Sequence, residues 1–144
     1  MLSRNPLSRP DIQTLHVAVV DPRPQDYAGL LEDFAANGMS CHFLRLGCDA
    51  LRLARTHGSD LWVVHVGLPD MPGPDLCAML KDRWPETIIY MVADEYSVAD
   101  ERAARESGAA VFACKPIRAG WFEWLKSPHK PSRAGNLPAA VHRG

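Results

Sequence analysis

The stretch DLWVVHVGLPDMPG, residues 60–73, joins an apolar run to a loop that contains two prolines and two glycines. Within the run over 61–66, His65 is the one strongly polar residue, and this composition is typical of a strand that is buried on both faces. Proline and glycine then end the strand and favour a tight loop. A histidine at the end of such a strand indicates a side chain that faces a site, so the other strands must show where that site lies.

Four further apolar runs have the same character, and segments with helical periodicity separate them. The strand candidates are 15–21, 39–47, 61–66, 87–93 and 110–116, and the helix candidates are 24–38, 49–58, 73–84, 97–108 and 118–127. Gly38 and Gly108 suit the positions just after two of the helices, and Ser97 suits an N-cap. Buried strands that alternate with helices predict an α/β, doubly wound five-stranded parallel sheet with strand order 2-1-3-4-5.

Three of the predicted strands end in polar residues, namely Asp21, His65 and Lys115. The carboxyl ends of parallel strands meet at one edge, and sites in such folds lie where the connections reverse direction. In this strand order Asp21 and His65 flank the reversal point, and Lys115 reaches over from the edge strand. We predict a site there, in which Asp21 and Lys115 are each other's counter-ions.

The composition of the chain argues against some classes of partner and location. The 144 residues suit one domain, and 16 basic against 17 acidic residues give no overall charge that favours nucleic acid or a membrane surface. The four cysteines form no CxxC pair, and the sequence shows neither a signal-peptide core nor a long apolar span. We therefore expect a cytoplasmic protein that does not enter a membrane.

The two ends of the chain differ from its middle. Residues 1–14 are polar and show no periodicity, whereas 127–144 are rich in proline, small residues and basic residues. We expect a flexible leader over 1–14, a folded domain over 15–126, and a disordered tail or linker over 127–144. The scattered basic residues of the tail have no aromatic residues among them, so direct nucleic-acid binding is not expected.

The middle of the chain resembles the receiver domain of two-component response regulators. The similarity rests on four segments in order, VVDPRP (19–24), DLWVVHVGLPDMPGPDL (60–76), YMVAD (90–94) and ESGAAVFACKPI (106–117). Its most specific signals are the loop LPDMPG and the Lys115-Pro116 pair. The resemblance implies a flavodoxin-like receiver fold over the whole of 15–126.

The resemblance also implies a phosphorylation pocket, which this sequence alters at three positions. Receivers accept a phosphoryl group on an aspartate at the end of strand three, beside an acidic pair and a Thr or Ser hydroxyl. Here His65 replaces the acceptor, Pro22 replaces the second acid of the pair, and Val92 replaces the hydroxyl residue.

Four positions of the family pattern are kept. They are Asp21, Lys115, the backbone carbonyl of Gly67, and Phe112 at the place of the family's switch aromatic. Mg²⁺ needs nearly octahedral oxygen ligands, so a single remaining carboxylate competes poorly with bulk water. An aspartyl nucleophile is missing as well. We expect no metal, no cofactor and no enzymatic activity.

The last predicted helix carries a surplus of aromatic side chains, Trp121, Phe122 and Trp124, which a single narrow core stripe does not accommodate. In receivers the surface of helix four, strand five and helix five commonly contacts partners or a second copy. We therefore interpret these aromatics, with Arg102 and Arg105 of the helix over 97–108, as a candidate protein interface. Packing of all three aromatics against the sheet is the alternative.

The leading hypothesis is a degenerate, phosphorylation-independent receiver that acts as a protein-interaction module in signal transduction or transcription regulation. One alternative is the regulatory half of a response regulator whose output domain is missing from this chain. Another is a phosphotransfer domain that uses His65, or another residue such as Asp94, as its acceptor.

Overall fold

The computed structural model describes residues 15–117, which contain five strands and four α-helices. The strands are β1 (Leu15–Val20), β2 (Met39–Leu44), β3 (Leu61–His65), β4 (Ile89–Ala93) and β5 (Val111–Cys114), and the helices are α1 (Leu31–Ala36), α2 (Gly47–Thr56), α3 (Gly73–Arg83) and α4 (Val98–Ser107). A 3-10 helix, Pro24–Leu30, precedes α1. The predicted leader (1–14), last helix (118–127) and tail (127–144) lie outside the described residues.

The five strands form one parallel sheet in the order β2-β1-β3-β4-β5. This confirms the predicted doubly wound sheet and its 2-1-3-4-5 order. Every residue of β3, β4 and β5 is buried, as their apolar sequences require when both sheet faces are covered. The register sets His65, the last residue of β3, directly beside Val92 of β4.

Each face of the sheet has its own apolar core. On one face, Val17 and Val19 of β1 and Val63 of β3 pack with Tyr27 and Phe34, which come from the 3-10 helix and α1. On the other face, α2, α3 and α4 contribute side chains such as Ala50, Leu80 and Ala104, which form one apolar cluster with Trp62. Full burial of one large apolar side chain stabilises the fold by roughly 1.5–3 kcal/mol, so both helical layers contribute to the stability of the sheet. Among residues 15–117, no helix has the length and apolarity needed to cross a bilayer.

The first predicted helix, 24–38, is wrong in detail because its first half is a 3-10 helix and only Leu31–Ala36 is α-helical. Tyr27 and Leu30 are both buried and are three residues apart. A 3-10 helix has three residues per turn, so it places residues that are three apart on the same side, here toward the core. The helix then ends as predicted, with Gly38 at a φ of 74°.

The remaining helix boundaries follow local hydrogen bonds. Helix α2 begins two residues before the predicted start because the Asp70 carboxylate accepts hydrogen bonds from the backbone N–H groups of Gly47 (2.8 Å) and Cys48 (2.9 Å). Helix α4 has the predicted Ser97 N-cap, which accepts from the Asp100 N–H, and the predicted Gly108 at a φ of 104°. The same two hydrogen bonds connect the loop after β3, which contains Asp70, to the start of α2.

The loop after β3 returns so closely to its own strand that Gly73 has no room for a side chain. A Cβ at this position would lie 2.1 Å from the His65 carbonyl oxygen and 2.9 Å from Val66 Cα, both of which are backbone atoms. The Gly73 N–H donates to the Val66 carbonyl at 2.8 Å and closes the loop. Gly73 therefore fixes the backbone that carries His65.

We predict that Gly73→Ala destabilises the fold by about 1–3 kcal/mol, because the clash involves backbone rather than a flexible side chain. The matched control is Gly29→Ala, since a Cβ at Gly29 meets no atom within 4 Å. Urea unfolding of both variants measures the difference. Equal stabilities for the two variants would contradict the close approach at Gly73.

Candidate functional site

The polar ends of three strands meet at the carboxyl edge of the sheet. Asp21 directly follows β1, His65 ends β3, and Lys115 directly follows β5. Backbone hydrogen bonds from Asp21 to Leu44 (2.9 Å) and from Lys115 to Ala93 (2.9 Å) extend the strand pairing to these residues. The structure thus brings together the three residues that the strand ends single out in the sequence.

Asp21 is the buried centre of this edge, with 1% of its surface exposed. Its carboxylate accepts hydrogen bonds from the Tyr27 hydroxyl (2.9 Å) and the Arg23 N–H (2.8 Å), and Lys115 Nζ lies 2.9 Å from it. Burial, and then the nearby Asp21 charge, raise the pKa of Tyr27 well above its ordinary value, so the phenol keeps its proton as a donor. Three donors therefore satisfy a charge that burial alone would disfavour.

Lys115 shares its ammonium group among three carboxylates. Its Nζ donates to Asp26 at 2.7 Å, contacts Asp21 at 2.9 Å, and lies 3.5 Å from Asp94. Burial lowers the pKa of Lys115, but hydrogen bonds and charge attraction from Asp26 and Asp21 outweigh it, so the net shift is upward. The side chain of Lys115 is only 11% exposed, which makes this a largely desolvated ion pair.

Arg23 and Asp94 form a second, more exposed set of charges next to the Lys115 ion pairs. The Arg23 guanidinium donates to the Asp94 carboxylate and lies 3.6 Å from Asp26. Burial by itself would raise the pKa of Asp94. Hydrogen bonds from Arg23 and His65 outweigh this effect and lower the pKa to about 2. Because both Arg23 and Asp94 are nearly half exposed, solvent screens their pairing and its contribution to stability is small.

Both ring nitrogens of His65 have partners. Nδ1 accepts from the Gly67 N–H at 3.0 Å, and Nε2 lies 3.2 Å from Asp94 Oδ1. When Nδ1 accepts, the proton of a neutral ring is on Nε2 and is donated to Asp94. The Gly67 carbonyl also lies 3.2 Å from Nδ1 and would accept from a ring protonated on both nitrogens. In either state the imidazole is anchored at both ends.

The other residues of the predicted pocket are apolar or provide only backbone atoms. Val92 is fully buried beside His65, Pro22 is half-buried, and Gly67 is exposed. Phe112, at the family's switch position, is 1% exposed, and its ring centroid lies 6.0 Å from that of Tyr96 in an edge-on contact. Among the side chains of residues 15–117, no group of three or more His, Cys, Asp and Glu is arranged to hold a metal ion.

The candidate interface is described only in part. Arg102 and Arg105 are exposed on α4, and Arg105 pairs with Glu101 one turn earlier at 3.0 Å. Tyr96 and Val98, just before and at the start of α4, are 47% and 60% exposed. The predicted aromatics Trp121, Phe122 and Trp124 lie outside the described residues.

Sequence reasoning missed the contacts of Arg23 and Asp26, and considered Asp94 only as an alternative acceptor. Each of the three is close in sequence to a strand end or to Tyr27, and the single cation Arg23 has two carboxylates as partners. A search for charged residues within six positions of the strand ends would have found them. Their partners come from different loops, so sequence spacing alone does not pair them.

The architecture and the edge geometry agree with a family match. Residues 17–122 match the model of the response regulator receiver domain. The chain belongs to this receiver family. Receivers are the signalling domains of response regulators, and this coarse role follows from the match.

The chain is similar to known regulators that it covers to different extents. It is 29% identical over 127 residues to the transcriptional regulatory protein KdpE of Mycobacterium tuberculosis, covering 88% of this chain but only 51% of KdpE. It is 33% identical over 95 residues to the polar-differentiation response regulator DivK of Brucella ovis, covering 64% of this chain and 77% of DivK. The chain therefore spans about half the length of KdpE.

A solved structure supports the fold. A response regulator from Burkholderia pseudomallei, crystallised with a phosphorylated aspartic acid, a calcium ion and citrate, superposes with a TM-score of 0.70 at 21% identity. The superposition covers 81% of this chain and 68% of that protein. At this identity the likeness establishes the receiver fold alone.

We predict that Lys115→Met destabilises the receiver by about 3–5 kcal/mol, because it leaves the Asp21 charge buried without a counter-ion. Adding Asp21→Asn to that variant removes the stranded charge and should restore part of the loss. Arg52→Met is the control, since Arg52 pairs with Asp49 on the exposed surface of α2 and should matter by less than about 1 kcal/mol. Chemical denaturation measures all three, and similar losses in the Lys115 and Arg52 variants would refute the buried pair.

Proposed function

We propose that this receiver is a phosphorylation-independent pseudo-receiver, a cytoplasmic protein-interaction module in signal transduction or transcription regulation. The observation that carries the proposal is the state of the acceptor position. His65 occupies it, and both of its nitrogens are engaged, by Gly67 and by Asp94. A carboxylate free to attack a phosphoryl donor is therefore missing at the place where receivers have one.

The pocket does not fit Mg²⁺. Of the three carboxylates that the family pattern supplies, only Asp21 is present, since His65 and Pro22 replace the other two. Three donors already bind the Asp21 carboxylate, and one of them is the Lys115 ammonium at 2.9 Å. A divalent cation would have to displace that ammonium, and no three carboxylates of residues 15–117 are arranged to coordinate a metal ion together, which makes binding unfavourable.

The charged side chains that would contact a phosphoryl group form ion pairs with one another. Lys115 is held by Asp21 and Asp26, and Arg23 is held by Asp94. Val92 offers no hydroxyl beside His65. Because the polar groups of the edge satisfy each other, the domain needs no phosphoryl group to reach a stable arrangement.

We predict that the wild-type chain gains no phosphoryl group when it is incubated with a small acyl phosphate and millimolar Mg²⁺, as measured by intact-mass spectrometry. Mg²⁺ should also leave its melting temperature unchanged, whereas a ligand present at a hundredfold excess over its Kd would add about 2.7 kcal/mol of stability. The triple variant Pro22→Asp, His65→Asp, Val92→Thr restores the family pattern and should gain Mg²⁺ binding.

Stoichiometric phosphorylation of the wild type would contradict the proposal and favour the phosphotransfer alternative. Peptide mapping would then locate the modified residue and distinguish His65 from Asp94. A His65→Asn variant gives a second test, because it loses the modification only if His65 is the acceptor. The triple variant shows that the assay detects a restored pocket.

The partner surface that we propose consists of α4, β5 and the predicted helix over 118–127. On the described part of this surface, the exposed Val98 and Tyr96 supply apolar area, and the exposed Arg102 and Arg105 supply charge at its border. Exposed apolar side chains with a charged border are the usual composition of interfaces. The occupant is a protein partner or a second copy of the chain.

We predict that Phe122→Ala and Arg105→Glu weaken this association, by roughly 2 kcal/mol where the residue is an anchor, without lowering the melting temperature. Analytical ultracentrifugation measures self-association, and pull-down measures partner capture. Arg52→Glu is a matched control, because Arg52 also forms an intrahelical ion pair on an exposed helix, but on α2. Retention of full binding by both interface variants would place the interface elsewhere.

The relation to KdpE favours a second candidate, in which this receiver is the regulatory half of a longer response regulator. The matched region accounts for 51% of KdpE. The length of the encoding reading frame tests this candidate directly. Continuation of the frame into a further domain supports it, and a stop codon after Gly144 refutes it.

A further inference from the structure

A cavity of about 380 Å³ opens at the amino edge of the sheet, opposite the edge that carries Asp21, His65 and Lys115. The loop 57–59, which leads into β3, forms one wall, and the loop 84–87, which leads into β4, forms another. Its volume lies within the range of roughly 300–1,000 Å³ that is usual for small-molecule sites. The proposed interaction module makes no use of this cavity.

The interior of the cavity is aromatic and apolar. Trp62 of β3 is 2% exposed and lines it together with Ala54 of α2 and the half-buried Trp84. The guanidinium carbon of Arg83 lies 5.3 Å from the centre of the Trp84 ring, so that ring already carries a cation on one face. Walls of this kind favour a flat aromatic ring over a branched aliphatic group.

Hydrogen bonds hold both walls in place. The Lys81 ammonium donates to the carbonyls of Pro85 (2.8 Å) and Thr87 (2.9 Å), which fixes the loop before β4. Asp60, next to the loop before β3, accepts from the His16 N–H (2.7 Å) and donates its own N–H to the His16 carbonyl (2.7 Å). A cavity with fixed walls binds a ligand without first ordering its loops.

Ser59 adds an unsatisfied polar group to the cavity wall. Its hydroxyl is buried and has no hydrogen-bond partner within residues 15–117. A buried hydroxyl without a partner costs free energy, and a serine hydroxyl turns about χ1 to meet a donor or acceptor. This group suits a ligand whose ring carries a polar atom.

The mouth of the cavity carries two opposite charges, those of Arg83 and Glu86. Both side chains are exposed, and neither forms an ion pair with another residue of the described part of the chain. Arg83 offers a planar donor pair to a carboxylate, and Glu86 offers an acceptor to an ammonium group. A ligand with an aromatic end and a zwitterionic end would match the interior and the mouth together.

We propose that this cavity binds a free aromatic amino acid whose ring carries an N–H or O–H group. The ring lies against Trp62 and Trp84 and bonds to Ser59, while the carboxylate meets Arg83 and the ammonium group meets Glu86. Such a ligand gives the domain a small-molecule input at the edge of the sheet that phosphoryl chemistry does not use.

The test is a titration of the full wild-type chain with L-tryptophan, in which isothermal calorimetry measures the affinity and ¹⁵N–¹H NMR locates the site. The expected result is saturable binding, with shift changes concentrated in residues 57–59 and 84–87. Indole lacks the zwitterion and glycine lacks the ring, so each should bind about tenfold more weakly or worse. Arg83→Gln and Glu86→Gln should each weaken tryptophan binding by about tenfold.

Two further variants separate specific recognition from general effects. Ser59→Ala should weaken the binding of tryptophan and leave that of L-phenylalanine, which has no polar ring atom, unchanged. Arg52→Gln removes a basic residue of α2 that does not line the cavity and should leave both affinities unchanged. Melting temperatures confirm that each variant is folded.

Absence of saturable tryptophan binding would overturn the proposal and leave a cavity that holds water only. Binding that is equally tight for indole, or unaffected by Arg83→Gln and Glu86→Gln, would overturn it as well, because the mouth would then play no part. None of these outcomes depends on whether the acceptor position is phosphorylated, so this proposal fails or succeeds independently of the proposed function.

Discussion

Lys115 holds the carboxyl edge of the sheet together, with its ammonium group 2.9 Å from the Asp21 carboxylate and 2.7 Å from that of Asp26. Asp21 is almost fully buried, and a carboxylate in that position is tolerated only with a counter-charge and hydrogen-bond donors. The ion pair also joins the ends of β1 and β5, which are separated in the sheet by β3 and β4. The arrangement of Tyr27, Arg23 and Asp94 around it follows from the need to satisfy these charges.

The charge balance of this edge explains why a histidine suits the end of β3. Three carboxylates, those of Asp21, Asp26 and Asp94, face the two cations Lys115 and Arg23. An aspartate in place of His65 would add a fourth carboxylate at Asp94, where like charges repel. A histidine instead offers a ring N–H to Asp94 and an acceptor to Gly67, so the edge remains satisfied without an added cation.

The sequence was sufficient for the sheet and for the three residues at its edge, because continuous apolar strands and polar strand ends depend on local composition. Ser97, Gly38 and Gly108 were predictable for the same reason, since capping is a local property. The 3-10 form of Pro24–Leu30 was not predictable, because it depends on how Tyr27 and Leu30 meet the core. The start of α2 depends on Asp70, and the position of Asp94 depends on Arg23, and both pairings join loops that only the folded chain brings together.

The backbone around His65 is shaped by atoms that take no part in phosphoryl chemistry. Gly73 gives the loop room to return, its N–H closes the loop on Val66, and Asp70 anchors the loop to α2. The path of this loop therefore rests on Gly73 and Asp70, whereas the chemistry of the edge rests on the side chain at position 65, so the two demands fall on different residues. This separation makes the end of β3 a suitable position for protein engineering, because the residue there can be varied while the loop keeps its own anchors.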